Sequence, residues 1–189
     1  MEAVLDLAQA ELNTISDKPF AFFGHSAGAV MAFALASRLE RAGGGAKKPF
    51  ALFLSSHASA SRPINGAPMY QQSTEELVQG AAEWGQLPDA VLEDEALLGS
   101  VMATMKADFE VEEKWVGHAG QPSSYAGAVD VPLVVLGGTD DPVVPAVELA
   151  RWAEATLGSC EKSLFPGDHF YLTEDGIAEA VVEFVASRC

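Results

Sequence analysis

Three short runs constrain what this chain can fold into: FAFF at residues 20–23, FALFLS at 50–55 and VPLVVL at 131–136. Each is too short for a helix and lacks the alternation of a strand with one wet face. Each therefore predicts a strand buried on both faces, the signature of a parallel sheet covered by helices. Parallel strands need long crossovers, usually helical, and the intervening sequence supplies them. AGAVMAFALASRLERA reads as a largely buried helix ended by Gly43-Gly44-Gly45, a glycine run without phosphate-loop spacing. Residues 145–157 read as a second helix, Glu161 to Phe165 as a fourth, shorter strand, and 174–187 as a last helix with Ile177, Val181, Phe184 and Val185 facing inward. The opening LDLAQAELNTI puts Leu5, Ala8, Leu12 and Ile15 on one face of a helix over 3–15, which Asp17-Lys18-Pro19 stops.

Alternating strands and helices predict an α/β fold with a mostly parallel, doubly wound sheet. The 189 residues are expected to form a single domain. From about 58 to 121 there is no strand signal, only helical ones, including the stripe Leu98, Val101, Met102, Met105 and Phe109 flanked by acidic residues. This insertion follows the second strand and is expected to form a lid at the carboxyl edge of the sheet, where such folds bind ligands.

Charge and composition exclude several functions. Lys and Arg total 11 against 27 Asp and Glu, a net charge of −16. Nucleic acid and an anionic membrane are thereby excluded as main partners, since both need a basic footprint. No apolar run approaches the roughly 20 residues of a membrane span and no signal peptide is visible, so the cytoplasm is the expected location. The two cysteines, Cys160 and Cys189, and the four scattered histidines imply no disulfide framework, metal or cofactor. Cys160, at a helix–strand junction, reads as inert. The tail Ser187-Arg188-Cys189 only half resembles a peroxisomal address and is set aside.

The first strand runs into Gly24-His25-Ser26-Ala27-Gly28 and then a helix. A G-x-S-x-G sequence at a strand-to-helix junction predicts an elbow that exposes the serine as a nucleophile, with small residues two before and two after so that strand and helix can pass. The following helix aims its first amides at the site, making the Ala27 N–H the natural oxyanion donor. A serine hydroxyl needs a base, and an elbow predicts an acid and then a histidine further along. Gly137-Gly138-Thr139-Asp140-Asp141-Pro142 follows the third strand and Gly167-Asp168-His169-Phe170 the fourth, so carboxylates and an imidazole reach the same sheet edge in that order. Plainer readings exist: the aspartates could cap the next helix, and His169 could be an ordinary loop histidine. His25 is expected to point away from the site. His57 and His118 read as surface or lid residues, His57 with the pocket wall as a second option.

These residues resemble the type II thioesterases of the α/β-hydrolase superfamily, which work beside polyketide, nonribosomal peptide and fatty acid synthases. PFAFFGHSAGAVMAFALASRL is similar to the family's nucleophile segment, and LPDAVLEDEALLGSVMATMKADFEVEEKW to its lid. VPLVVLGGTDDPVVP and FPGDHFYL resemble its acid and histidine segments. The resemblance implies Ser26 as nucleophile, His169 as base, Asp141 rather than Asp140 as acid, and Ala27 as oxyanion donor. Ala27 stands where a larger Met or Leu is usual, and Asp168 where glycine is usual.

By that resemblance the substrate is an acyl thioester on the phosphopantetheine arm of an acyl or peptidyl carrier protein, cleaved in editing or in medium-chain release, with no cofactor. A carboxylesterase or acyl-CoA hydrolase with the same residues, or a dead fragment that only docks carriers, are the alternatives. Carriers are typically acidic, so docking is expected to need a basic patch from Lys47, Lys48, Arg62 or Lys106. The family's sheet begins with strands and an oxyanion loop upstream of the helix that opens this chain. The chain is therefore expected to be an N-terminally truncated α/β-hydrolase, with FAFF left as a central strand lacking a neighbour.

Overall fold

Four short strands pair in parallel in sequence order: β1 (Phe22–His25), β2 (Leu52–Ser55), β3 (Leu133–Gly138) and β4 (Cys160–Phe165). The computed structural model describes residues 1–14, 18–43, 47–84, 87–119 and 123–188. Ile15, Asp17, Gly44, Gly45, Gln121 and Cys189, which entered the sequence expectations, lie outside them. The chain divides into two compact units: residues 1–62 with 125–189, and residues 63–124.

In the first unit the register aligns Phe22 with Leu52, Leu52 with Leu133 and Leu133 with Cys160. Period-two alternation then sorts the apolar strand residues onto two faces. Phe53, Val134 and Leu136 join Tyr171 and Val181 in one core, against which Ile177, Phe184 and Val185 of α7 (Ile177–Ala186) pack. Leu52, Leu54, Leu133 and Val135 alternate onto the opposite face and are equally buried. There lie α2 (Ala27–Ala42) and α6 (Ala146–Ala150), the latter extended by a 3₁₀ turn whose Trp152 meets Phe33 of α2 at 5.2 Å between ring centroids. Helices therefore cover both faces, as buried parallel strands require. α1 (Glu2–Thr14) buries Leu5 and Leu12, and its Asp6 pairs with Arg38 of α2.

One expectation is corrected. The first three strands begin two residues later than their apolar runs, and β1 and β3 continue through Gly24 and through Gly137 and Gly138 instead of turning there. FAFF lacks a neighbour on one side among the described residues, as expected, and so is not buried on both faces. Among the described residues β1 pairs only with β2, and Phe23 is 46% exposed, lining an apolar groove with Leu172, Val181 and Val185.

In the second unit, α3 (Thr74–Glu83), α4 (Asp89–Leu92) and α5 (Glu95–Val116) follow a short 3₁₀ turn at Met69–Gln71. Asp94 starts α5 by accepting from the Ala96 and Leu97 amides, both at 3.0 Å. Leu77, Met102, Trp115 and Val116 are buried, and Trp84 meets Phe109 edge-on. The ends of the unit are pinned together: Ile64 N–H donates to the Gly117 carbonyl at 2.9 Å, and Ala119 N–H to that of Ile64 at 3.2 Å. His118, expected at a surface or in the lid, is buried in this unit with Nε2 3.5 Å from Glu113 Oε2. Burial raises the Glu113 carboxyl above its ordinary range.

The elbow's demand for small residues is one-sided. A Cβ on Gly24 would run into the Gly28 carbonyl, whereas a Cβ on Gly28 would meet open space. Gly24→Ala is expected to cost about 3 kcal/mol by forcing strand from helix, lowering Tm by roughly 6 °C or more. Gly28→Ala should leave Tm unchanged or raise it by about 2 °C, as alanine in a helix does. Thermal unfolding of the two variants checks this, and equal losses would refute it.

Candidate active site

Parallel pairing brings the ends of β1, β2, β3 and β4 to one edge, and the loops that leave this edge carry the predicted residues. Ser26 sits between β1 and α2 with φ 53° and ψ −126°, a backbone conformation that costs a non-glycine residue about 1–3 kcal/mol. Its neighbours hold it there: the Ser26 amide donates to the Ser55 carbonyl at 2.8 Å, and its carbonyl accepts from Ala29 N–H at 2.8 Å. Ala27 is the first residue of α2, so its N–H has no intrahelical acceptor and is available to a ligand.

The histidine loop is seated by a second close approach. A Cβ on Gly138, at the end of β3, would strike the Asp168 and Gly167 carbonyls. Gly167 has φ +119°, which favours glycine. Asp168 Oδ1 accepts from Phe170 N–H at 2.7 Å, so this carboxylate closes the turn around His169. His169 is almost fully buried, its Nε2 3.2 Å from Ser26 Oγ. Its Nδ1 lies 3.0 Å from Asp141 Oδ2 and 3.2 Å from Oδ1.

Asp141 Oδ1 also accepts from the Val143 and Val144 amides, both at 2.9 Å. Burial pushes the Asp141 carboxyl up, but the bonds from His169 and from these amides outweigh it and hold the group below its ordinary value. Neither aspartate caps α6, whose N-cap is Pro145; Asp141 instead closes the turn before it and faces the imidazole. Asp140 is exposed and accepts from the Thr139 hydroxyl at 2.8 Å. Ser26, His169 and Asp141 come together, and Asp140 stays outside.

His25 differs from expectation. It makes no bond to Ser26, yet it does not leave the site: its Nδ1 is 2.8 Å from Ser55 Oγ, and its ring centroid is 5.3 Å from that of His169. Burial first, and His169 second, bring its pKa down to about 4, with Asp141 acting in the opposite sense. Ser55 and Tyr171, both fully buried and 2.7 Å apart, were missed by sequence reasoning. Their only sequence signal was position, at a strand end and two residues past His169. Ser56, also missed, has φ 46° and a fully buried hydroxyl without a bonding partner among the described residues.

His57 Nδ1–H donates to the Ala58 carbonyl at 2.6 Å, and the His57 carbonyl accepts from Trp152 Nε1–H at 2.7 Å. Cys160 opens β4 with its thiol pushed up by burial, away from reactivity. Among the described residues no group of three or more His, Cys, Asp or Glu side chains is placed to hold a metal. Nor is any described helix long and apolar enough to cross a membrane.

A parallel sheet covered by helices on both faces, with serine, acid and histidine at its carboxyl edge in that chain order, defines an α/β-hydrolase fold. The thioesterase domain model matches residues 1–189, and the chain belongs to that family. It is 26% identical over 188 residues to the gramicidin S biosynthesis protein GrsT of Aneurinibacillus migulanus, covering all of this chain and 70% of that protein. To the medium-chain S-acyl fatty acid synthase thioesterase of Rattus norvegicus it is 29% identical over 185 residues, covering 96% of this chain and 66% of the other. The chain spans 62% and 44% of the length of two further curated relatives. Among solved structures, the RedJ thioesterase of the prodiginine pathway in Streptomyces coelicolor superposes with a TM-score of 0.81 at 26% identity, covering 100% of this chain and 69% of that one.

The two aspartates give separable outcomes. Asp141→Asn should slow thioester hydrolysis about 10³- to 10⁴-fold, because an amide in that place favours the wrong imidazole tautomer. Asp140→Asn should stay near the parent rate. Steady-state kinetics of the pair decide it, and equal small losses would leave Asp141 with its turn alone.

Proposed function

We propose that this chain hydrolyses acyl thioesters carried on the phosphopantetheine arm of an acyl or peptidyl carrier protein, with Ser26, His169 and Asp141 as its triad. The observation that carries the reading is the continuous contact from Ser26 Oγ to His169 Nε2 at 3.2 Å and from His169 Nδ1 to Asp141 at 3.0 Å. The names of the relatives, which come from peptide antibiotic and fatty acid synthesis, support the substrate class.

The chemistry follows from the geometry. As Ser26 Oγ attacks the thioester carbonyl, its proton passes to His169 Nε2, and the Asp141 carboxylate holds Nδ1–H so that Nε2 is the free base. The negative charge that develops on the carbonyl oxygen is met by the Ala27 N–H and a second donor. The C–S bond then breaks and the pantetheine sulfur leaves as the thiol, taking the proton from His169, which leaves an acyl ester on Ser26 and a neutral imidazole. Water attacks that ester, giving its proton to His169, which returns it to Ser26 Oγ as the free acid departs. No cofactor enters, and the reaction belongs in the cytoplasm where carriers are loaded.

Carrier recognition has to contend with charge. Arg62, a candidate for a basic patch, is held by both oxygens of Glu154 at 2.8 and 3.0 Å, and Lys48 Nζ lies 3.8 Å from Glu40. A net charge of −16 repels an acidic carrier, so docking falls to shape and apolar contact more than to ion pairs.

Ser26→Ala should retain the parent Tm and lose about a millionfold in turnover. In the parent, a fluorophosphonate should label Ser26, and carrier-bound acyl thioesters should exceed acyl-CoA and p-nitrophenyl esters in kcat/KM. A preference for the oxygen ester would make the protein an esterase, and an unlabelled Ser26 would remove the nucleophile from the scheme.

A further inference from the structure

Three side chains outside the triad form one line of hydrogen bonds behind it. The Tyr171 phenol lies 2.7 Å from Ser55 Oγ, and Ser55 Oγ lies 2.8 Å from His25 Nδ1. Tyr171 and Ser55 are fully buried, so each of their protons must be used within the line. That requirement fixes its direction. Tyr171 donates to Ser55, Ser55 donates to His25, and Nδ1 accepts. Reversing the line would leave the phenol proton buried without an acceptor. His25 is therefore held as the neutral Nε2–H tautomer.

The two ends of the line belong to the two loops that must meet. His25 is the last residue of β1, directly before Ser26. Tyr171 lies two residues past His169, with its ring stacked on Phe165 of β4 at 5.8 Å. Ser55, between them, supplies its backbone carbonyl to the Ser26 amide and its hydroxyl to His25.

We propose that Tyr171, Ser55 and His25 act as positioning residues that tie the histidine loop to the serine elbow and keep an uncharged imidazole beside His169. This rests on the triad reading of Ser26 and His169. The groups facing His25 are the His169, Phe170 and Tyr171 rings, with centroids at 5.3, 6.3 and 6.1 Å, the Ser55 hydroxyl, and the Asp141 carboxylate. With His25 neutral down to about pH 4, the charge His169 acquires from Ser26 meets no second cation. Cutting the line removes the bond that favours the neutral ring, so His25 protonates at higher pH and opposes the imidazolium that the reaction requires.

The experiment follows the four histidine ring resonances against pH by NMR in the parent, Tyr171→Phe and Ser55→Ala. Tyr171→Phe keeps the stacked ring and deletes one oxygen, and Ser55→Ala cuts the line at its centre, so either variant alone suffices. The His25 midpoint should rise by about one unit or more. In Tyr171→Phe, kcat should fall about fivefold with KM unchanged, and the acid limb of the kcat profile should gain a second ionisation. Adding His25→Asn, which cannot charge, should remove that second ionisation. An unmoved His25 midpoint overturns the proposal, as does a profile that keeps one ionisation while only Tm falls. Fluorophosphonate labelling separates the two readings. A parent unlabelled at Ser26 sinks the triad and the line with it, whereas a labelled parent with an unmoved His25 sinks the line alone.

Discussion

Two places where backbone meets backbone, with no room for a side chain, hold the candidate site at the carboxyl edge in place. At one, Gly24 of β1 passes the Gly28 carbonyl of α2, so that the helix starts immediately beside the strand it follows. At the other, Gly138 at the end of β3 takes the carbonyls of Gly167 and Asp168 against its Cα. The first sets where Ser26 projects and the second sets where His169 projects. The distance between Ser26 Oγ and His169 Nε2 is thus governed by main-chain packing in a close-packed interior. The strain at Ser26 is sustained by hydrogen bonds on both sides of its peptide units.

Polar groups are then arranged within this frame so that each faces a defined partner. Asp141 keeps its charge in a buried place because two amides and an imidazole point at it. His25 sheds its charge in a neighbouring place because burial and His169 both disfavour it. Two imidazoles about 5 Å apart therefore sit in different surroundings: one faces a hydroxyl and a carboxylate, the other a buried serine hydroxyl. Asp168 is a third case: a carboxylate next to His169 whose Oδ1 is engaged by the Phe170 amide.

Much of this was legible in the sequence, for identifiable reasons. The buried strands announced themselves because parallel strands have no wet face to interrupt their apolar runs. The serine, acid and histidine loops could be placed at one edge because parallel strands all end there. The resemblance to type II thioesterases read from those loops agrees with the family to which the chain belongs. What sequence could not carry was anything settled by pairing across space. The unpaired edge at β1 was expected, but which of its side chains it exposes was not, and the half-exposed Phe23 comes only from the packing. The demand for a small residue at position 28 was overstated, since the contact belongs to position 24. Ser55 and Tyr171 carry no local pattern, because their role depends on a contact between residues 116 positions apart.

The pinned mouth of the second unit has a consequence for how such a protein diversifies. Ile64 exchanges hydrogen bonds with Gly117 and Ala119, so the intervening chain leaves and returns through a single clasp. The entropy of closing that loop is spent at the clasp, and further residues inside it add only logarithmically to the cost. Helices within it can lengthen, shorten or be replaced while the clasp itself stays closed.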